Sequence, residues 1–95
     1  MTSFEVAHLR EQGQNMIIVP MKSDFGHKGQ AEQARIEAAL ALAARQAGLA
    51  GRIVTVWDAG GGRMGFRGPS QWRSFLASLN LSIVASNINK RITVY

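Results

Sequence analysis

An alanine-rich helical segment between two apolar strand-like segments constrains the fold of this chain more than any other feature. Residues 16–21 form an apolar run that is typical of a buried strand, and residues 52–58 are rich in β-branched and aromatic side chains. From Gln30 onward, apolar residues recur at helical spacing until Gly48 and Gly51 provide a stop signal. The sequence therefore predicts a strand, a long helix that can approach a sheet closely, and a second strand.

The remaining segments add strands at both ends and a second, shorter helix. Residues 3–11 alternate loosely between apolar and polar side chains, which predicts an N-terminal strand that can pair with the next one. After a proline suited to a first helical turn, four large apolar residues follow at the spacing of an amphipathic helix: Trp72, Phe75, Leu76 and Leu79. Residues 81–95 are strand-like throughout, as one extended strand or as a hairpin that turns near residues 87–90.

The order of these segments predicts the fold class. From residue 15 onward it is strand, helix, strand, strand, helix, strand, which is the split βαβ order. We therefore expect a single α+β domain over residues 1–95 with a ferredoxin-like sandwich: a four-stranded antiparallel sheet, both helices on one face, an extra N-terminal strand and an extended C-terminal strand or hairpin. The alternative is a small parallel α/β domain, in which residues 59–62 would join a strand to a helix.

A four-residue loop at 59–62 would set the register of the predicted central hairpin. Antiparallel partners keep a constant sum of residue numbers, so Asp58 would face Arg63 and Thr55 would face Phe66. Phe66 would then share the core face with Trp57. Arg67 would lie on the other face, which would be open to solvent or to a partner.

The charge distribution is the main functional indication. The chain carries eleven Lys and Arg against six Asp and Glu, a net charge of +5, and the last 37 residues contain no acidic residue. All of the excess charge lies on five residues of that segment: Arg63, Arg67, Arg73, Lys90 and Arg91. This pattern predicts a non-catalytic binding module whose partner is acidic, either a nucleic acid or an acidic protein surface.

Two loops provide alternative sites for an anion or a phosphorylated ligand. Gly60, Gly61 and Gly62 expose backbone N–H groups that could cradle phosphate, although no Gly-Lys-Ser/Thr sequence follows them. The favoured interpretation of this loop is a hairpin tip closed by an ion pair between Asp58 and Arg63. His27 and Lys28 precede the long helix, whose N-terminus attracts anions.

A small metal-dependent nuclease is the catalytic alternative. It would use Asp24 or Asp58 at a dimer interface, and the loop position of Asp24 is similar to that of a metal-binding aspartate in small ferredoxin-like ribonucleases. Against it, the two histidines lack metal-ligand spacing, and no paired carboxylates or nucleophile triad lie close in sequence. We therefore expect no metal and no cofactor.

Composition and edge strands predict the location and the assembly of the protein. The chain has no cysteine, its start lacks the pattern of a secretory signal, and its apolar runs are too short to span a bilayer. We expect a cytoplasmic protein that does not bind membranes and forms a homodimer through an exposed strand or sheet face. In general character, being short, cysteine-free and without known site motifs, the chain resembles bacterial accessory proteins of the integron gene-cassette kind.

Overall fold

The computed structural model describes residues 2–11 and 13–95 as a five-stranded mixed sheet with helices on both faces. The strands are β1 (Thr2–Glu11), β2 (Gln14–Pro20), β3 (Arg52–Gly60), β4 (Arg63–Arg67) and β5 (Lys90–Val94). The α-helices are α1 (Gln30–Gln46), α2 (Arg73–Ala77) and α3 (Leu81–Ser86). Short 3₁₀ segments at Ser23–His27 and Ser70–Trp72 precede α1 and α2.

The sheet order is β4-β3-β2-β1-β5, and its strand pairs follow from the lengths of the connections. β1 and β2 form an antiparallel hairpin, as do β3 and β4. β2 and β3 are parallel neighbours because α1 carries the chain back between them. β4 and β5 lie at opposite edges, so the segment that contains α2 and α3 crosses the sheet from one edge to the other.

Two apolar cores, one on each face, hold the layers together. The core on the α1 side contains Ile17 and Val19, packed with Leu40 and two alanines of α1. The core on the opposite side contains Met16 and Ile18, packed with residues of α2 and α3. Strand β2 is therefore buried on both faces, as its continuous apolar sequence predicts.

The predicted α+β class is confirmed, and the strands and helices from β2 to α2 follow in the predicted order. The predicted ferredoxin-like arrangement differs from the structure in its sheet and in its layers. The sheet has five strands and is mixed, not four-stranded and antiparallel, because β1 lies inside it and β2 pairs in parallel with β3. The helices cover both faces because the route from β4 to β5 uses the face that α1 leaves free.

The two predicted helices are confirmed in position, and the second also buries the predicted apolar face. Helix α1 ends where Gly48 adopts a φ of 78°, and the Leu49 amide donates to the Ala44 carbonyl at 2.9 Å, as at a glycine-terminated helix end. The apolar stripe predicted from residue 72 to residue 79 packs as one group against the core on the α2 side. Its first residue, Trp72, is buried.

The prediction of a strand or hairpin over residues 81–95 is wrong for the first half of that segment. Residues 81–86 form α3 because the Asn80 side chain accepts a hydrogen bond from the Ile83 amide at 2.8 Å and caps the helix. Val84 is buried against the sheet in this conformation. Burial and the cap together outweigh the strand preference of the β-branched residues.

The register predicted for the central hairpin is wrong by one residue. β3 continues to Gly60, and the turn is formed by Gly61 and Gly62, whose φ angles of 61° and 76° suit a two-residue hairpin turn. A bulge between Asp58 and Gly60 takes up the extra residue. Asp58 therefore faces Met64, and Thr55 faces Arg67, which moves every side chain of β4 to the face opposite the predicted one.

Candidate functional site

Three arginines from three separate elements line a surface groove with a volume of about 900 Å³. Arg52 begins β3, Arg67 ends β4, and Arg73 begins α2, so each lies at an element boundary. The groove lies at the start of β3, between α1 and the segment that leaves β4. We call it the arginine groove.

One carboxylate in the arginine groove fixes the orientation of Arg67. The Arg67 Nε donates to Glu37 Oε2 at 2.9 Å and its Nη2 donates to Glu37 Oε1 at 3.2 Å, a two-point contact. The buried Thr55 hydroxyl donates to the same Glu37 Oε2 at 2.7 Å. Helix α1 is thus tied to β3 and β4 by polar contacts that are partly shielded from water.

On its α1 side, the arginine groove is lined mainly by small side chains. Ala34, Ala38 and Ala41 face the groove at helical spacing on either side of Glu37. Small side chains on this wall leave the three guanidinium groups as the dominant chemical feature. Arg52 and Arg73 are exposed, and neither makes a salt bridge within residues 2–11 and 13–95.

The sequence predicts two of these arginines as binding residues and misses Arg52 and Glu37. Arg67 reaches the arginine groove only because the hairpin register differs from the predicted one. Arg52 precedes residues 59–95, the segment without acidic residues, so the charge distribution does not indicate it as a binding residue. Glu37 borders the apolar stripe of α1, and a carboxylate at such a border is the one sequence signal that could have indicated an inward-facing ion pair.

The other predicted basic residues lie apart from the arginine groove. Arg63 is exposed at the glycine end of β4. Lys90 and Arg91 lie on β5, at the opposite edge of the sheet, so the five basic residues do not form one continuous patch. Arg91 pairs with Glu5 at 3.6 Å on the surface, a contact that water and salt weaken.

The predicted pair between Asp58 and Arg63 does not form, although both residues lie in the part of the chain that the structure describes. Asp58 Oδ1 instead accepts a hydrogen bond from the Gly60 amide at 2.8 Å. This local contact accompanies the bulge and turns the carboxylate toward its own loop. Arg63 is consequently left without the acidic neighbour that the predicted register gave it.

Several loop candidates meet around a second, smaller hollow of about 410 Å³. His27, Asp58 and Gly60 line it together with Ser23 and Trp57. The hollow lies beyond the carboxyl ends of the parallel strands β2 and β3, where α/β sheets commonly bind ligands. Gly61 and Gly62 form the adjacent turn and do not line it.

Asp24 and Lys28 form a small surface ion cluster ahead of α1. Lys28 Nζ lies 3.9 Å from Asp24 and 3.6 Å from Glu32, and the Asp24 side chain is 71% exposed. In the described ranges, no group of three or more His, Asp and Glu side chains is placed to hold a metal ion. Within the same ranges, none of the helices combines the length and apolar composition that crossing a bilayer requires.

The sequence predicts Trp57 on the core face of β3, but it lies outside both apolar cores, against Gly65 of β4 and Gly26 of the 3₁₀ segment before α1. A Cβ atom at Gly65 would lie 2.4 Å from the indole, and one at Gly26 would lie 2.3 Å from it. The Phe25 ring, with its centroid 5.4 Å away, covers Trp57 further. The ring is therefore held in place by protein atoms and is partly buried.

Together, the fold and the arginine groove define a small α+β protein with a surface groove that is rich in guanidinium groups. Comparison of the chain with protein-family profiles, with curated proteins and with solved structures found no match. The chemistry of its own residues is therefore the basis for a functional assignment.

Proposed function

We propose that this protein is a non-catalytic binding module whose arginine groove holds an acidic partner. The observation that carries the proposal is the convergence of Arg52, Arg67 and Arg73 from three elements on one groove. Guanidinium groups bind phosphate and carboxylate oxygens through paired hydrogen bonds, so their convergence favours an anionic ligand.

The electrostatic balance of the arginine groove supports an anionic ligand. Three guanidinium groups line it and Glu37 is the one carboxylate among its lining residues, which leaves an excess of two positive charges. Because Glu37 already binds Arg67 on one side, the remaining N–H groups of that guanidinium have a fixed orientation. An ordered donor loses less conformational entropy when a ligand binds.

The charge of the whole chain supports the same proposal at longer range. The net charge is +5, and residues 59–95 carry no acidic side chain. Such an excess attracts acidic partners across roughly 10 Å at 0.1 M salt, so binding should weaken as salt is added. We include in this proposal the cytoplasmic location and the homodimer that the sequence predicts.

Removal of the two unpaired groove arginines tests this function. The variant Arg52→Gln with Arg73→Gln lowers the net charge from +5 to +3, since two cations are lost from a total of +5. We expect it to bind a fluorescein-labelled single-stranded oligonucleotide or a glutamate-rich peptide about tenfold more weakly in an anisotropy titration. The titration is run at about 50 mM salt, where charges are weakly screened.

The matched control is Arg35→Gln with Arg45→Gln, which removes the same charge from exposed positions of α1 outside the arginine groove. We expect the control to weaken binding by no more than about twofold to threefold, through the general field alone. Equal weakening in both variants, or no binding of either probe by the unaltered protein, would overturn the proposed function.

A further inference from the structure

β4 is an edge strand with an unusual combination of side chains. It is five residues long and pairs only with β3 among the strands described, so one side of its backbone has no strand partner. Unpaired N–H and C=O groups of an edge strand can accept an additional strand. The end of β4 borders the arginine groove.

The two faces of β4 differ in chemistry. Arg63, Gly65 and Arg67 point to the α1 side, where Gly65 lies beneath Trp57. Met64 and Phe66 point to the α2 side, where they pack against the core and remain partly exposed. An added strand would therefore meet cations at two alternate positions on one face and apolar side chains on the other.

This pattern disfavours a second copy of the same edge as the natural occupant. If two β4 strands paired antiparallel about Gly65, Arg63 of each copy would face Arg67 of the other. Like charges directly opposite one another destabilise a strand pair. The same arrangement favours a strand that carries acidic residues at the two positions opposite the arginines.

We propose that β4 binds an extended segment of a partner protein as a sixth strand, with acidic residues opposite Arg63 and Arg67 and apolar residues opposite Met64 and Phe66. The inference rests on the proposed function, because the acidic partner is the same and the arginine groove adjoins the strand. Opposite Gly65 the segment carries a small side chain, since Trp57 occupies the space above that glycine. Backbone hydrogen bonds supply affinity, and the alternation of side chains supplies specificity.

A nucleic-acid strand fits the same region less well. Binding of single strands commonly uses aromatic rings on which bases stack. Trp57 is covered by Gly26, Gly65 and Phe25, and Phe66 packs against the core on the other face. The region thus offers cations and an edge backbone, while its two aromatic rings are packed against protein atoms and only partly exposed.

The experiment compares three peptides on the unaltered protein. The first has the alternating sequence Ser-Glu-Val-Ser-Val-Glu-Ser, the second is the same peptide N-methylated at both valines, and the third is the rearranged sequence Ser-Val-Val-Ser-Glu-Glu-Ser. All three carry the same charge, whereas the second has lost two backbone donors and the third has lost the alternation. We expect the second and third peptides to bind about tenfold more weakly than the first.

Amide hydrogen exchange locates the binding. We expect saturation with the first peptide to slow exchange at backbone amides of β4, while amides of β5, at the opposite edge, stay unchanged. The variant Arg52→Gln with Arg73→Gln, titrated with the first peptide, reports on the arginine groove separately.

The outcomes separate this inference from the proposed function. If the three peptides bind equally and the groove variant weakens them all, the proposed function stands and strand addition is wrong. If a single-stranded oligonucleotide binds more tightly than the alternating peptide, the partner is a nucleic acid and strand addition is again wrong. If no anionic probe binds the unaltered protein, both proposals fail.

Discussion

The contact between Arg67 and Glu37 links the stability of the protein to its proposed binding function. Glu37 holds helix α1 against the sheet through Arg67 and Thr55, and it also neutralises one of the three arginines of the groove. A residue that stabilises the fold while reducing the charge of a binding site should show opposite effects on the two properties when it is replaced.

Replacement of Glu37 by Gln tests this linkage. We expect Glu37→Gln to lower the free energy of unfolding by about 1 kcal/mol, since the two-point contact with Arg67 loses its charge while the shape is kept. We also expect the affinity for an acidic peptide to rise about threefold, because the groove gains one net positive charge. Urea denaturation and an anisotropy titration measure the two effects.

The control for this prediction is Glu32→Gln on the same helix. Glu32 lies 3.6 Å from Lys28, and its side chain is 49% exposed, so its ion pair should contribute less than about 0.5 kcal/mol. It changes the net charge of the protein by the same amount as Glu37→Gln. If the two variants gave equal stabilities and equal affinities, the proposed role of Glu37 would be wrong.

The sequence predicts Arg67 as a binding residue, but the predicted register places its side chain on the wrong face of the sheet. The cause is local: the Gly60 amide bonds to the Asp58 carboxylate, and the turn contracts to two glycines. Three consecutive glycines permit several turns of similar energy, so the residue types alone do not determine which of them forms. One added residue in β3 then changes the neighbours of every residue in β4.

Among the helices described, α3 is the one whose N-terminus is capped by a side chain. It is only six residues long, too short to be stable as an isolated helix. Asn80 caps it, and Val84 anchors it to the sheet. The sequence does contain the cap, but the β-branched residues that follow it predict a strand more strongly than a lone asparagine predicts a helix.

Removal of this cap should destabilise the protein measurably. We expect Asn80→Ala to lower the free energy of unfolding by about 1 kcal/mol, because the Ile83 amide loses its acceptor. Chemical denaturation with circular dichroism measures the loss. Ser82→Ala, an exposed position in the same helix, is the control and should change stability by less than about 0.5 kcal/mol. Equal losses in the two variants would contradict the assigned role of the cap.

At the scale of the whole molecule, the fold class and the order of the elements up to α2 can be predicted from the sequence, whereas the order of strands in the sheet cannot. The spacing of apolar residues indicates which segments are strands and which are helices. On this basis the positions of β2, α1 and the helix that begins near Trp72 are predicted correctly. The position of β1 between β2 and β5 depends on pairing between residues that lie far apart in the chain. No local pattern in the sequence carries that information.

The two edge strands of the sheet, β4 and β5, differ in how well each could pair with its own copy in the expected homodimer. Antiparallel pairing of two β5 strands about Ile92 would place Lys90 opposite Val94, with no cations directly opposed, whereas the same pairing of β4 opposes arginines. We therefore expect a dimer, observed by sedimentation velocity, to form through β5 and to persist at about 50 mM salt. A dimer that forms only when salt is raised would point to β4 and contradict this expectation.

The two tryptophans differ in their exposure to solvent, so intrinsic tryptophan fluorescence can report on binding at β4. Trp72 is 6% exposed beneath the α2 side, while Trp57 is partly exposed and lies across Gly65 of β4. A water-soluble quencher such as iodide should therefore quench the fluorescence of Trp57 and leave that of Trp72 unchanged. A strand added to β4 would shield the first indole, so the fraction of quenchable fluorescence measures occupancy of that edge without any label.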